Sequence, residues 1–326
     1  MLLSSLAERV YWFARYIERV ENTARIILVN NNLLMDTPRT ITLGWSPIVS
    51  ITGCEELFYK YHKKATERNV MRFLVMDSHN PNCMLASLSH ARENLRTSRV
   101  IFPREIWETL NDLYNYVKNH QLTALSRRGR YAFLMHVIDT CHIILGKITA
   151  TMNHDQTYGF LRLGRNIERA DMTTRVIDVR AGNLLPKHTE ELKPFDEIQW
   201  KSVLDSLAAY LVYRRCIHVR VRGDEVLDFL LKDLYFPRTL TYCLNEMEQC
   251  LKVLPSNGVP LKFLRRAQRL VKRADVDLLV KQDLNKFIDK LQLALMDVNE
   301  QLTIVYFQLQ EESTDDKKLI QLAKSA

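Results

Sequence analysis

Residues 3 to 36 contain neither glycine nor proline, and Leu6, Val10, Phe13, Ile17, Val20, Ala24 and Ile27 recur among them at alternating steps of four and three. That spacing puts the apolar side chains on one face of an α-helix. At 1.5 Å per residue the helix is about 50 Å long, and Pro38 and Gly44 end it. Further along, the spacing predicts helices over 48–61 and 66–75. Asp77-Ser-His-Asn-Pro81 then reads as a turn, with Asn80 as an N-cap and Pro81 at a first helical position. A helix carrying Leu85, Leu88 and Leu95 follows. Another opens at Pro103 and runs through Trp107, Leu110 and Leu113 to His120, and a long one starts at Ser126 and passes Met135, Ile138 and Leu145. Beyond a long helix ending at Gly182 and Pro186, helices are expected over 198–221, 224–232, 237–255, 261–274 and 276–310. No alternating pattern long enough for a strand occurs. The expectation is an all-α helical bundle of roughly eleven helices.

Two of these helices are nearly the same sequence. Arg15-Tyr-Ile-Glu-Arg-Val-Glu-Asn-Thr-Ala-Arg-Ile-Ile27 aligns without gaps on Arg165-Asn-Ile-Glu-Arg-Ala-Asp-Met-Thr-Thr-Arg-Val-Ile177, and seven of the thirteen positions are identical. The fold is therefore read as containing an internal repeat of a long Arg/Glu-rich helix. One domain is expected over 1–311, with related halves near 1–150 and 151–311 joined around 182–197, and a polar tail over 312–326.

Most of the matching positions are charged, which packing alone does not require. On the first copy Glu8, Tyr11, Arg15, Glu18, Asn22 and Arg25 form a stripe opposite the apolar seam, and on the second Arg165, Glu168 and Arg175 do the same. Each glutamate is expected between two guanidiniums of its own helix. Two readings stand. One is a solvated face laced with ion pairs of about 0.3–0.5 kcal/mol each. The other is a Glu/Arg site in a groove between the copies, with Glu18 and Glu168 as candidate catalytic residues and Arg15, Arg25, Arg165 and Arg175 holding anionic groups by bidentate forks. A di-metal carboxylate site needs Glu-x-x-His on paired helices. Here Glu18-x-x-Glu21 and Glu168-x-x-Asp171 carry no histidine and lie beside arginines, so no metal is expected.

Other chemistry is sparser. Arg92, Arg96 and Arg99 step along one helix with Asn94 close by, following Asp77 and Asn80 in sequence, and form a candidate anion-binding edge. Lys262, Arg265, Arg266, Arg269, Lys272 and Arg273 are the densest basic run, but Phe263 alone could stack on a base, so nucleic acid is not the expected partner. His154-Asp155 precedes the second copy as a capping pair. No phosphate-binding glycine loop and no nucleophile elbow occur, and no cofactor is expected.

Composition changes this picture little. Nine glycines and nine prolines in 326 residues favour long helices over many turns, and the net charge of +8 is spread along the chain. The six cysteines form no Cys-x-x-Cys pair and read as small core residues of a reducing compartment. No signal peptide and no stretch of about 18 apolar residues is read. The expectation is a cytoplasmic protein without a membrane partner, with homo-oligomerisation left open.

Several motifs together resemble a known family. Ala7-Glu-Arg-Val-Tyr-Trp-Phe-Ala-Arg-Tyr-Ile-Glu-Arg-Val-Glu-Asn-Thr-Ala-Arg25 is similar to the opening signature of the bacterial alpha-E domain proteins. Asp77-Ser-His-Asn-Pro81, Ala91-Arg-Glu-Asn-Leu-Arg96, Trp107-Glu-Thr-Leu-Asn-Asp-Leu-Tyr114, Phe160-Leu-Arg-Leu-Gly-Arg-Asn-Ile-Glu-Arg-Ala-Asp171 and Phe236-Pro-Arg-Thr-Leu-Thr-Tyr-Cys-Leu244 follow in order. His79 and Asn82 depart from the small polar residues expected around the turn. The resemblance implies an all-helical domain with glutamates as its hallmark, found with circularly permuted ATP-grasp ligases and with transglutaminase-like peptidases. It implies a helical partner subunit in a peptide or amino-compound modifying system that forms amide bonds. A stand-alone enzyme using a glutamate base and a basic helical nucleic-acid binder are the alternatives.

Overall fold

The computed structural model describes residues 4–36, 44–182, 193–217, 220–281 and 284–308. Sixteen α-helices follow one another among them: α1 Ser4–Asp36, α2 Ser46–Ile51, α3 Glu55–Tyr61, α4 Glu67–Val75, α5 Met84–Thr97, α6 Arg104–Asn119, α7 Gln121–Leu125, α8 Arg127–Thr151, α9 Gln156–Gly182, α10 Lys193–Ser206, α11 Tyr210–Cys216, α12 Gly223–Lys232, α13 Leu240–Lys252, α14 Gly258–Lys272, α15 Val276–Lys281 and α16 Leu284–Leu302. A π-helical turn, Thr303–Phe307, closes the last helix. The described residues include no strand, so the chain is an all-α bundle. Pro38, Pro186 and the tail at 312–326 lie outside the described residues.

Part of the excess over eleven helices comes from breaks inside segments that periodicity reads as continuous, and α7 falls between two expected helices. Residues 48–61 divide into α2 and α3 because Gly53 takes a left-handed conformation, φ 68°, which glycine enters without the Cβ clash of other residues. Residues 198–221 divide between α10 and α11, where Ala208 adopts φ 55°. Apolar spacing cannot show such breaks, since both flanking pieces keep their inward faces. Asn80 is not an N-cap. It is buried in the turn, its amide donating to the Phe73 carbonyl at 3.0 Å and its oxygen accepting from the Asn82 N–H. Cys83 caps α5 instead. Asp155 does cap α9, accepting from Thr157 N at 2.8 Å.

The seam of α1 goes into the core as its spacing requires: Val10, Phe13, Ile17, Val20, Ala24 and Ile27 are all buried. The opposite side is buried too. α1 runs through the middle of the bundle and packs on α5, α8, α9, α10 and the π-turn, while α9 packs on α1, α13, α16, α10 and α2. The α8 helix corrects the expectation of no membrane-length apolar segment. Its 25 residues are long and apolar enough to cross a membrane by composition alone, yet it buries Phe133, Val137, Cys141, Ile144 and Ile148 in the same core as α1. Of the six cysteines, Cys216 is exposed and the rest are buried.

Helices α1 and α9 approach each other closely. A Cβ placed on Gly164 would overlap the backbone carbonyl of Tyr11, and Ala14, the corresponding residue of the first copy, is fully buried. Backbone atoms cannot retreat as a side chain can, so a methyl here must push the helices apart. Gly164→Ala is expected to destabilise the chain by about 1–3 kcal/mol despite the better helix propensity of alanine. Denaturant unfolding of the two proteins checks this, and equal stability would mean that the helices are not held so close.

Candidate functional site

The charged stripes of α1 and α9 meet at this crossing. Arg19 Nε donates to Glu168 Oε1 at 2.7 Å, and Arg169 Nε donates to Glu18 Oε1 at 2.8 Å. The two Glu-Arg pairs thus exchange partners between helices. Glu168 is gripped on both oxygens, since Arg15 Nε and Arg19 Nη2 donate to Oε2 at 2.8 and 3.1 Å. Arg15 is in turn oriented by Asn299, which also accepts the Tyr11 hydroxyl, and its guanidinium lies over Trp12 at 4.6 Å.

Glu18 has a different second partner. Arg238, from the loop between α12 and α13, places Nη1 at 3.1 Å from Glu18 Oε1 and hydrogen-bonds Asn22 and Glu21. Arg25 and His142 complete the shell of Glu21. These carboxylates are buried, with Glu18 0% and Glu168 3% exposed, so the solvated-face reading does not hold. Nor does the expected arrangement in which each glutamate sits between arginines of its own helix. The stripes face a neighbour at close quarters, and the guanidiniums reach across the interface, where desolvation makes an opposite charge most valuable.

Burial raises the Glu168 carboxyl, but Arg19 and Arg15 more than reverse this and hold it at about 2. For Glu21 burial is likewise outweighed, by Arg238, His142 and Arg25, and the carboxyl lies well below its ordinary range. Burial pushes the Tyr11 phenol up to about 12. Arg165, the counterpart of Arg15, is the exception. Its Nε is buried without a hydrogen bond, and burial together with the adjacent Arg169 lowers its pKa.

A cavity of about 190 Å³ opens beside the crossing. Arg15, Arg19, Glu168, Asp171 and Arg175 form its floor and walls, and the elbow between α2 and α3 closes one side. Gly53 admits Arg175 there, since a Cβ would overlap the guanidinium. Arg175 Nε is paired with Asp171 Oδ2 at 2.9 Å. Asn82 contributes the remaining wall, its Oδ1 accepting from Arg19 Nη1 at 2.8 Å.

Of the residues that the sequence singled out, Glu168, Arg15 and Arg175 come together at this cavity, and Glu18 lies at the crossing, outside the lining. Arg25 faces Glu21 and a larger cavity of about 450 Å³ between α1 and α10. Asp77 is occupied by His62 and His79 at 3.3 and 3.0 Å, and Asn80 does not line the site but touches it through Asn82 and Cys54. The Arg92–Arg99 edge forms a separate α5–α6 surface. Arg92 bonds Asn111 and lies over Tyr114, Arg99 lies over Trp107, Arg96 pairs with Glu93, and Asn94 offers its carbonyl to Thr97. Sequence reasoning left Arg19, Arg169, Asp171, Asn82 and Arg238 out of the site. The first two were among the repeat identities, and Arg238 lies in the Phe236-Pro-Arg motif. Among the described residues no group of histidine, cysteine or carboxylate side chains could hold a metal ion.

The chain belongs to the Alpha-E family, described as a predicted alpha-helical domain with a conserved ER motif, whose model matches residues 2–307. Glu-Arg occurs at the crossing twice, as Glu18-Arg19 and Glu168-Arg169, while Glu8-Arg9 and Glu67-Arg68 lie elsewhere. The chain is similar to an uncharacterized protein of Mycobacterium bovis and to one of Mycobacterium tuberculosis, each 20% identical over 269 residues and 76% of this chain. It spans 30% of the length of these curated relatives. No solved structure matches.

Replacing Glu168 by glutamine leaves the partly buried Arg15 and Arg19 without their shared counter-charge, at an expected cost of about 3 kcal/mol. The pH dependence has a definite sign. A carboxyl lowered from 4.5 to about 2 contributes its stabilisation in full above about pH 4.5 and loses it as the pH falls towards 2. The stability gap between parent and Glu168→Gln should therefore be flat near neutrality and narrow over that acid window in urea unfolding. A gap that stays constant down to pH 2 would show that Glu168 is not held by these arginines.

Proposed function

We propose that the chain is the helical partner of an ATP-grasp-type ligase in a peptide or amino-compound modifying system, and that the cavity beside the α1–α9 crossing receives the anionic end of the compound being modified. The observation that carries this reading is the lining of the cavity: three guanidiniums against two carboxylates, with Glu168 already committed to Arg15 and Arg19. Guanidinium forks match a carboxylate or an acyl phosphate bidentately, and here they stand preformed on two long helices. ATP-grasp chemistry activates a carboxylate as an acyl phosphate and passes it to an amine. This chain carries no glycine loop for a nucleotide, so the activation falls to the partner. The share of 30% in the longer mycobacterial relatives supports a domain that works beside others. We place the system in the cytoplasm, where free cysteines stay reduced.

A stand-alone enzyme with a glutamate base is the weaker reading. A carboxylate held at about 2 by two arginines is a poor proton acceptor near neutrality, and Glu18 is fully buried outside the cavity lining. The basic face of α14 could meet nucleic acid, but Arg265 and Arg266 already face Glu248 and Asp297.

Arg175 tests the proposal, because its side chain is 33% exposed and its one acid partner among the described residues lies on its own helix. When the chain is co-expressed with an ATP-grasp ligase of the same organism, Arg175→Ala should still co-purify and should unfold within a few degrees of the parent. Substrate-dependent ADP release should fall by roughly ten- to a hundredfold, the worth of one charge-assisted hydrogen bond. A ligase that neither binds the parent chain nor changes rate in its presence would overturn the partner role.

A further inference from the structure

The helices fall into two runs of eight. α1 to α8 and α9 to α16 follow one another in matching order, a long helix first and another last, with short ones of 7, 9 and 14 residues in the first run against 7, 10 and 13 in the second between them. Trp45 precedes α2 as Trp200 lies in α10, Phe58 and Tyr213 are both fully buried, and the left-handed residues Gly53 and Ala208 each stand just before a seven-residue helix. The packing is reciprocal. α5 lies on α1 as α13 lies on α9, and α2 crosses to α9 as α10 crosses to α1.

This correspondence pairs the turn before α5 with the loop before α13. Asp77, Pro81 and Asn82 match Asp233, Pro237 and Arg238, and Asn82 and Arg238 each stand two residues before the first residue of their helix, Met84 or Leu240. The two side chains meet equivalent surroundings. Arg238 is inserted against Glu18, Glu21 and Asn22 of α1. The equivalents on α9 are Glu168, Asp171 and Met172, and all three line the 190 Å³ cavity together with Asn82. The cavity is thus the seat that an arginine fills in one half and that a shorter asparagine leaves open in the other.

From this correspondence we infer that the open seat binds a small α-amino carboxylate, whose ammonium takes the place of the Arg238 guanidinium. The inference rests on the reading of this cavity as a substrate site and deepens it. In the filled seat the cation is held by Glu21. In the open seat the equivalent carboxylate is Asp171, which spends Oδ2 on Arg175 and keeps Oδ1 without a hydrogen bond among the described residues. Glu168 offers no second place for a cation, because Arg15 and Arg19 occupy both of its oxygens. Beside Asp171 stand the guanidiniums of Arg15, Arg19 and Arg175, so the lining carries three positive and two negative groups and keeps one positive charge to meet a carboxylate. Thr23 adds a hydroxyl that can accept from an ammonium or donate to a carboxylate, and Thr52, whose hydroxyl donates to the Val49 carbonyl at 2.7 Å, can still accept from an ammonium. The volume of about 190 Å³ gives room for a small amino acid.

The experiment is calorimetric titration of the whole chain with the free α-amino acids, and with propionate and ethylamine as the two half-molecules. Some α-amino acid should bind, at least about tenfold tighter than either half. Asn82→Arg, which supplies the missing arginine, should fold with an unchanged or raised Tm and lose that binding by about tenfold or more. Asp171→Asn should weaken the amino acid while leaving propionate no weaker than in the parent, and it keeps the test decisive if the arginine variant does not fold. Propionate binding as tightly as every amino acid would overturn the inference in favour of a plain anion site. Equal binding by the parent and Asn82→Arg would overturn it by placing the ligand elsewhere, and so would no binding of any probe. Amino-acid binding that persists in a chain that recruits no ligase would overturn only the partner role. Recruitment of ligase without amino-acid binding would overturn only this inference.

Discussion

The crossing of α1 over α9 is the constraint on which the molecule depends. Two carboxylates are taken out of water there, and each would cost several kcal/mol if left alone. They are tolerated because each finds guanidiniums from outside its own helix, Glu168 from Arg15 and Arg19, Glu18 from Arg169 and Arg238. The balance is set by electrostatics at short range. For Glu168, burial acting alone would raise the carboxyl, yet it lies at about 2, so the arginines outweigh desolvation. A shift of that size corresponds to on the order of 3 kcal/mol. The pairs form only while the helices stay close, and Gly164 against the Tyr11 carbonyl is what allows that distance.

Equivalent sequence does not produce equivalent sites. Arg15 and Arg165 are counterparts, yet Arg15 grips Glu168 and is anchored by Asn299, while Arg165 has a buried Nε without a partner. The difference is a matter of occupancy. On one side Arg169 and Arg238 both meet Glu18 Oε1, while Oε2, the counterpart of the oxygen that Arg15 grips on Glu168, is left without a hydrogen bond. On the other side Asn82 is too short to compete, so Arg15 closes on Glu168 and a cavity remains beyond it. One residue in each loop thus makes one half a solid structural joint and leaves a polar chamber in the other.

Much of this was legible in the sequence. The apolar seam from Val10 to Ile27 gave α1 its length and inward face, and the thirteen-residue match showed that charge, not packing alone, mattered at the two long helices. What the sequence could not show was direction. Arg15 and Glu18 are three residues apart, and spacing alone suggests that they pair along one helix. Only the closeness of α9 reveals that each partner comes from across the interface. Arg238 was in view as part of Phe236-Pro-Arg-Thr-Leu-Thr-Tyr-Cys-Leu244, but nothing local ties a residue so far along the chain to Glu18. The break at Gly53 was hidden for a related reason: one glycine inside an apolar pattern looks like a tolerated helix interior until Arg175 is seen to need the space.

A core crossing built from ions is not the most stable way to join two helices. Well-packed apolar residues in place of a buried ion pair are often neutral or more stable by about 1–4 kcal/mol. Stability therefore does not explain why Glu-Arg stands at this crossing twice. An apolar crossing, however, would leave the wall of the neighbouring cavity without fixed charge. Because Glu168 is saturated by Arg15 and Arg19, their guanidiniums are held at set positions and stay fully charged beside the open space. Three cations left to repel one another in a partly buried chamber would turn outward to water; two carboxylates among them keep them in place. The ion pairs of the core and the charged lining of the cavity are in this sense one structure, and the polar crossing exchanges some stability for a lining of fixed charge.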